Sequence, residues 1–292
     1  PEPPAAPPPP PAALAPPVAS LSYSSLGEYA RCGYRFYAER VLGLPSVPLA
    51  GGSAGRGAPS TAEAPATRAA NERGVLVHAL LERLDFRRPL APTPAAVAAA
   101  AAREGLAPPS SDAETQDLIG LVRRFTDSEL CARLGRATDA RREERFSFLL
   151  ENGVLVTGAL DVLAREPGGR ALVVDYKSDR LDGGDPVEIV GRAYRTQRLV
   201  YALAALRSGA AAVDVAHCFL EVPDEPVSVA FARADEPELE RQLLSLSAGV
   251  MRREFGVADD PHRALCAGCP AEGGLCSWPL EMTRREHPDR LF

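Results

Sequence analysis

The chain has 292 residues, 46% hydrophobic and 25% charged, with a net charge of −6 and a pI near 5.4. This fits a globular domain of ordinary size and excludes a protein that grips nucleic acid over its whole surface, so any such contact must be local. Charged residues, Gly or Pro break every apolar run well before 18 residues, which argues against a membrane span, and the N-terminus has no secretory signature, so a cytoplasmic location is expected.

Residues 1–19 are rich in Pro and Ala and read as a linker or a disordered tail. As extended polyproline, such a run would reach on the order of 50 Å, at roughly 3.1 Å per residue. A linker at the start suggests a domain attached upstream. Residues 20–292 read as one domain. Ser22 to Leu44 has the spacing of an amphipathic helix, with Ser24 or Ser25 as its cap, Cys32 in its middle, and Gly43 and Pro45 as its stop. The Gly/Pro/Ala/Ser-rich stretch 46–66 predicts a mobile loop. Arg68 to Phe86 predicts a second helix, with His78 among its leucines. Residues 94–135 are helical apart from a break at Pro108-Pro109, after which Ser110 or Ser111 starts a new helix.

The period then changes from helix to strand. Arg145 to Leu150 and Val154 to Ala164 flank Glu151-Asn152-Gly153, a hairpin turn in which Asn-Gly supplies positive φ angles. Ala171 to Lys177 follows the turn at Pro167-Gly168-Gly169. Val187 to Arg207 predicts a helix, Val213 to Val222 and Val227 to Phe231 two strands, and Glu236 to Arg253 a last long helix. A meander, a crossover helix and a further strand pair predict an α/β domain with a mixed sheet flanked by helices.

Of the 33 Lys plus Arg, one is a lysine, Lys177. In a chain that otherwise uses Arg, a lone Lys marks a position where a planar, bulky guanidinium will not serve. It also excludes a phosphate-binding loop of the Gly-Lys-Ser/Thr kind, because Lys177 lies in Asp175-Tyr176-Lys177-Ser178. Asp161 and Asp175 fall on neighbouring strands, and Lys177 shares a face with Asp175 two residues away. Two carboxylates and an ammonium in one place suit a hard divalent cation, Mg²⁺ or Mn²⁺, acting on a phosphate.

Gly158-Ala159-Leu160-Asp161 with Val173-Val174-Asp175-Tyr176-Lys177 resembles the nuclease core of the RecB-like branch of the PD-(D/E)XK superfamily. Gly74-Val75-Leu76-Val77-His78 resembles that branch's histidine-bearing helix, Gln197 to Tyr201 its Gln-x-x-x-Tyr helix, and Ser22 to Leu44 its opening helix. The resemblance spans about residues 20–280. It implies a restriction-endonuclease-like core in which Asp161, Asp175 and Lys177 are catalytic and His78, Asp161 and Asp175 hold the metal. Gln197 and Tyr201 would contact DNA or position the site. Glu144, ahead of the first strand, is an accessory residue or a plain solvated or salt-bridged Glu.

Cys266, Cys269 and Cys276 read Cys-x2-Cys-Pro-x5-Cys in the Cys-rich end at 262–280, and three close thiolates suggest metal ligation, with Zn²⁺ the simpler occupant. The resemblance adds Cys32 as a fourth ligand and implies a [4Fe-4S] cluster joining the N- and C-terminal helical segments. Cys131 and Cys218 read as ordinary buried cysteines. The function implied is a DNA exonuclease or end-processing enzyme acting on single strands or ends. It would be the nuclease module of an AddAB- or AdnAB-type helicase–nuclease in double-strand-break repair, with a motor upstream on the same chain, a partner helicase–nuclease subunit and no membrane. A catalytically silent DNA-binding module of the same fold, or a stand-alone CRISPR-associated exonuclease, is the alternative.

Overall fold

Strand β3 (Arg170–Lys177) is buried along its length after Arg170, as a near-continuous apolar run predicts for the middle of a covered sheet. It pairs antiparallel with β2 (Leu155–Glu166) and parallel with β4 (Ala212–Phe219). β1 (Asp139–Leu149) and β5 (Val227–Ala232) close the two edges antiparallel, giving the order β1-β2-β3-β4-β5. The parallel step needs a crossover, and α7 (Pro186–Ala193) with α8 (Arg195–Arg207) supplies it. This computed structural model describes residues 16–46 and 70–286. Most of the 1–19 segment and of the 46–66 segment therefore lies outside the described residues.

The two-residue period of β3 sorts its side chains between two cores. Leu172, Val174 and Tyr176 pack with α3 (Ala70–Leu81), α4 (Pro94–Arg103), α5 (Asp112–Thr126) and α6 (Glu129–Arg136). Ala171 and Val173 pack on the other side with α1 (Tyr23–Arg31), α8 and α9 (Glu236–Met251). The same alternation turns Asp175 and Lys177 toward α8, where Gln197 meets both. No helix among the described residues is long and apolar enough to cross a membrane.

Several elements differ from the sequence reading, each for a local reason. The opening helix is capped by Ser22 rather than Ser24 or Ser25, and it breaks at Cys32, whose backbone is extended. The chain resumes as α2 (Gly33–Phe36) and a π turn at Tyr37–Val41. The segment 94–135 breaks a second time, where Ser128 caps α6. The 187–207 helix is divided at Tyr194. β1 begins six residues earlier than the apolar pattern showed, because an edge strand carries exposed charges at alternate positions. In the hairpin only Gly153 has positive φ; Asn152 instead accepts a hydrogen bond from the Val154 amide, 3.2 Å.

Candidate active site

The sheet opens at one point, and the polar residues gather there. Pairing of β1 with β2 skips Glu143 and Asp161, which face each other in register. Pairing of β2 with β3 stops at Val162 and Val174, one step short of Asp161 and Asp175. The Tyr176 amide donates to Asp161 Oδ2 instead, 2.8 Å, so a side-chain oxygen takes the place of a ladder carbonyl. Glu143 has a left-handed backbone, φ 49°, which is uncommon for a residue with a side chain and concentrates at functional sites.

α3 brings His78 to the same opening, with Nδ1 3.5 Å from Asp161 Oδ2. His78, Glu143 and Asp161 each offer a ligand atom within 4.8 Å of the others. Asp175 stands beside this group rather than in it. Its Oδ1 accepts from Gln197 Nε2 at 2.7 Å, and its Oδ2 lies 2.7 Å from Lys177 Nζ, close enough for an ion pair but out of line for a hydrogen bond. That buried oxygen therefore keeps no hydrogen bond, as expected of an atom that a cation would satisfy. Lys177 Nζ also donates to Gln197 Oε1 at 3.0 Å, and Gln197 Nε2 lies 3.0 Å from the Tyr201 hydroxyl. Gln197 and Tyr201 are 3% and 2% exposed, so both hold the site from beneath rather than reaching outward.

Burial, with Asp175 nearby, holds the Asp161 carboxyl well above the usual range. Burial also raises Glu143 and lowers His78, leaving the imidazole neutral and its ring nitrogen free to ligate. The opening thus collects more carboxylate than it can keep ionised unaided, and a divalent cation corrects that imbalance. Gly74 lets α3 approach the end of β3, since a Cβ there would come within 3.2 Å of Ser178 Oγ.

Sequence reasoning missed Glu143, Tyr23, Tyr194 and His217. Glu144, the acid it weighed, lies inside β1 and pairs with Arg141 at 3.0 Å. Tyr23 sits edge-on to Tyr201, and burial with the two aspartates raises its hydroxyl pKa. Tyr194 covers Lys177, with Nζ 3.7 Å from its ring centre, and stacks on His217 at 5.7 Å.

His217 is fully buried on β4, and neither ring nitrogen has an aligned hydrogen-bond partner. Burial lowers its pKa to about 4, against an ordinary 6.5. Folding therefore excludes a proton that the unfolded chain binds, so stability is full above pH 6.5 and falls between 6.5 and 4. The expected loss across that window is up to about 3 kcal/mol. Urea unfolding at stepped pH checks this: His217→Gln should flatten the decline relative to wild type.

Separately from this opening, Cys32, Cys266, Cys269 and Cys276 line one cavity together with Arg35 and Trp278. Arg35 Nη1 donates to the Leu265 carbonyl at 2.6 Å, and Tyr34 OH to the Leu275 carbonyl at 3.0 Å, so the N-terminal turn clamps both arms of the Cys-rich end. Burial, then the neighbouring thiols, raises Cys266. Among the described residues, no three of these sulfurs lie within 4.8 Å of one another. Cys131 and Cys218 are buried and lie in the core on the α3 side of the sheet.

No curated protein matches the chain. Among solved structures, a "putative exonuclease" from Eubacterium rectale shares the fold, with a TM-score of 0.50 at 11% identity over 89% of this chain and 90% of that one. The structure of SSO0001 matches over 87% of this chain and 84% of that one at 13% identity, with a TM-score of 0.36. The model of the PD-(D/E)XK nuclease superfamily matches residues 20–273, which takes in every strand of the sheet and the opening between them. The chain belongs to the PD-(D/E)XK nuclease superfamily.

Proposed function

We propose that this domain is a Mg²⁺- or Mn²⁺-dependent deoxyribonuclease of the exonuclease or end-processing kind. The observation that carries the reading is the convergence of His78, Glu143 and Asp161 beside the Lys177–Asp175 pair. His78, Asp161 and Asp175 would hold the cation, with Glu143 added as a fourth ligand. Once bound, the cation polarises the scissile phosphate and lowers the pKa of a coordinated water. Asp161 is kept in orientation by the Tyr176 amide. Asp175 and Gln197 hold the Lys177 ammonium where it can donate to a phosphate oxygen and offset charge that develops there. Gln197 and Tyr201 act as positioning residues.

Incubation of the domain with end-labelled single-stranded DNA and Mn²⁺ tests the assignment; equal cleavage by wild type and Lys177→Ala would sink it. Circular substrates separate exonuclease from endonuclease action. The metal site has its own check. Glu143→Gln should weaken Mn²⁺ binding by about 10- to 100-fold, whereas Glu144→Gln should leave it unchanged. Calorimetric titration of the metal-free protein reads both, and equal affinities would remove Glu143 from the ligand set.

The wider setting we propose is the nuclease module of a helicase–nuclease in double-strand-break repair, joined to a motor and paired with a second helicase–nuclease subunit. The resemblance of the motif series to the AddAB and AdnAB type supports it. Cys32, Cys266, Cys269 and Cys276 would carry a [4Fe-4S] cluster, each thiolate on its own iron, as the resemblance implies and as their lining of one cavity supports. Iron, sulfide and zinc analysis after anaerobic purification decides between them: one zinc per chain without absorbance near 400 nm (on the order of a cluster's charge-transfer band) ends the cluster reading.

A further inference from the structure

The two polar contacts of Lys177 leave one side of its ammonium to be closed, and an aromatic ring closes it. Nζ meets Asp175 Oδ2 at 2.7 Å and Gln197 Oε1 at 3.0 Å, while the Tyr194 ring centre lies 3.7 Å away. The same ring stacks on His217 with an interplanar angle of 24°, and the Tyr194 hydroxyl donates to Asp179 Oδ2 at 3.0 Å. Tyr194 is thus held by ring contacts with Lys177 and His217 and by a hydrogen bond at its tip. Its backbone is also where the crossover helix breaks: φ −115° and ψ 10° depart from the helix between α7 and α8, and the ring meets Lys177 of β3 and His217 of β4. A continuous helix would have avoided that break, and no side chain caps α8 in exchange.

A cation over a tyrosine ring is attracted by the ring's negative face. Tyr194 is thus in contact with both Lys177 and His217, and the cation it covers is the ammonium of the only lysine in the chain.

We infer that Tyr194 is a positioning residue that holds the Lys177 ammonium against Asp175 and Gln197, with His217 stacked on it and Asp179 as its anchor. The inference rests on the nuclease reading only for what Lys177 does once it is held. Because Lys177 is the sole lysine, its accessibility can be followed directly. Acylation by a succinimidyl ester, resolved by peptide mass spectrometry, reports that one ammonium without any need for DNA cleavage. Tyr194→Leu should raise the Lys177 labelling rate about tenfold, and Tyr194→Phe, which keeps the ring, should stay within about threefold of wild type. In the Mn²⁺-dependent reaction, Tyr194→Leu should lower kcat about tenfold while the Kd for single-stranded DNA changes less than about threefold, and Tyr194→Phe should restore kcat.

A residue that merely supports the fold would not separate kcat from Kd in this way, nor be rescued by the ring alone. Tyr194→Gln replaces the Leu variant if that one lacks a cooperative melting transition. Labelling at the wild-type rate in the ring-deleted variant overturns the inference, as does faster labelling with unchanged kcat. If the wild type cleaves no DNA, the nuclease reading fails by itself and labelling alone decides the placement of Lys177.

Discussion

Lys177→Ala should lower Mn²⁺-dependent cleavage by about 10²- to 10⁴-fold, and Lys177→Arg should not restore it. The first effect follows from the loss of a preorganised charge at the phosphate. The second follows from the shape of the seat. The ammonium is enclosed by a carboxylate, an amide oxygen and an aromatic ring, at 2.7, 3.0 and 3.7 Å. A guanidinium is planar and wider, and its fork would have to displace either Gln197 or Tyr194 to lie against Asp175. This is a physical reason why a chain that uses arginine at all of its other cationic positions keeps lysine at this one. Single-turnover cleavage, with DNA affinity measured separately, reads the effect on chemistry apart from binding. Arginine within about threefold of wild type would mean that charge alone is needed and that the shape argument fails.

What the sequence revealed of this site depended on how each residue reaches it. Asp175 and Lys177 were legible because strand alternation fixes their common face; Gln197 and Tyr201 were named by the resemblance, and helical spacing then fixes their common face. The five-strand mixed sheet was legible because hairpin turns and a crossover helix leave few topologies. Glu143 was not, since its carboxylate reaches the site through a left-handed backbone at a break in the β1–β2 ladder, and no periodicity reports such a break. Tyr194 was hidden for a related reason. An apolar-periodic stretch reads as one helix, and the break that seats the ring is imposed by tertiary contacts with Lys177 and His217. Cys32 was placed within a helix, whereas its extended backbone and its role as cap of α2, with Sγ accepting from the Arg35 amide, turn it into the cavity. Glu143 and Tyr194 sit where an element is interrupted, whereas His217 and Tyr23 lie on regular elements and are drawn to the site by tertiary contacts alone.

The same interruption governs the second large effect. If a cluster joins Cys32 to Cys266, it closes a loop of 234 residues (266 − 32), and the chain-entropy account sets its contribution at roughly 5 kcal/mol as a ceiling. Cys32→Ser and Cys269→Ser should each abolish iron binding and lower Tm by on the order of 10 °C, since one kcal/mol moves a domain of this size by about 2–4 °C. Both variants should nevertheless remain folded. Tyr34 N donates to the Gly256 carbonyl at 2.9 Å, Tyr29 OH to the Glu254 carbonyl at 2.7 Å, and the Tyr37 and Phe255 rings stack at 5.0 Å. With the Arg35 and Tyr34 clamps on the Cys-rich end, these contacts hold the two ends together by groups that need no metal. They do not reduce the entropy of the unfolded chain, so they cannot replace the cross-link. They do keep the cavity in its native shape when the cross-link is lost. Calorimetry with parallel iron analysis separates the two contributions: an unchanged Tm with iron still bound in Cys32→Ser would exclude Cys32 as a ligand, and loss of all cooperative unfolding would show that the contacts alone cannot hold the ends.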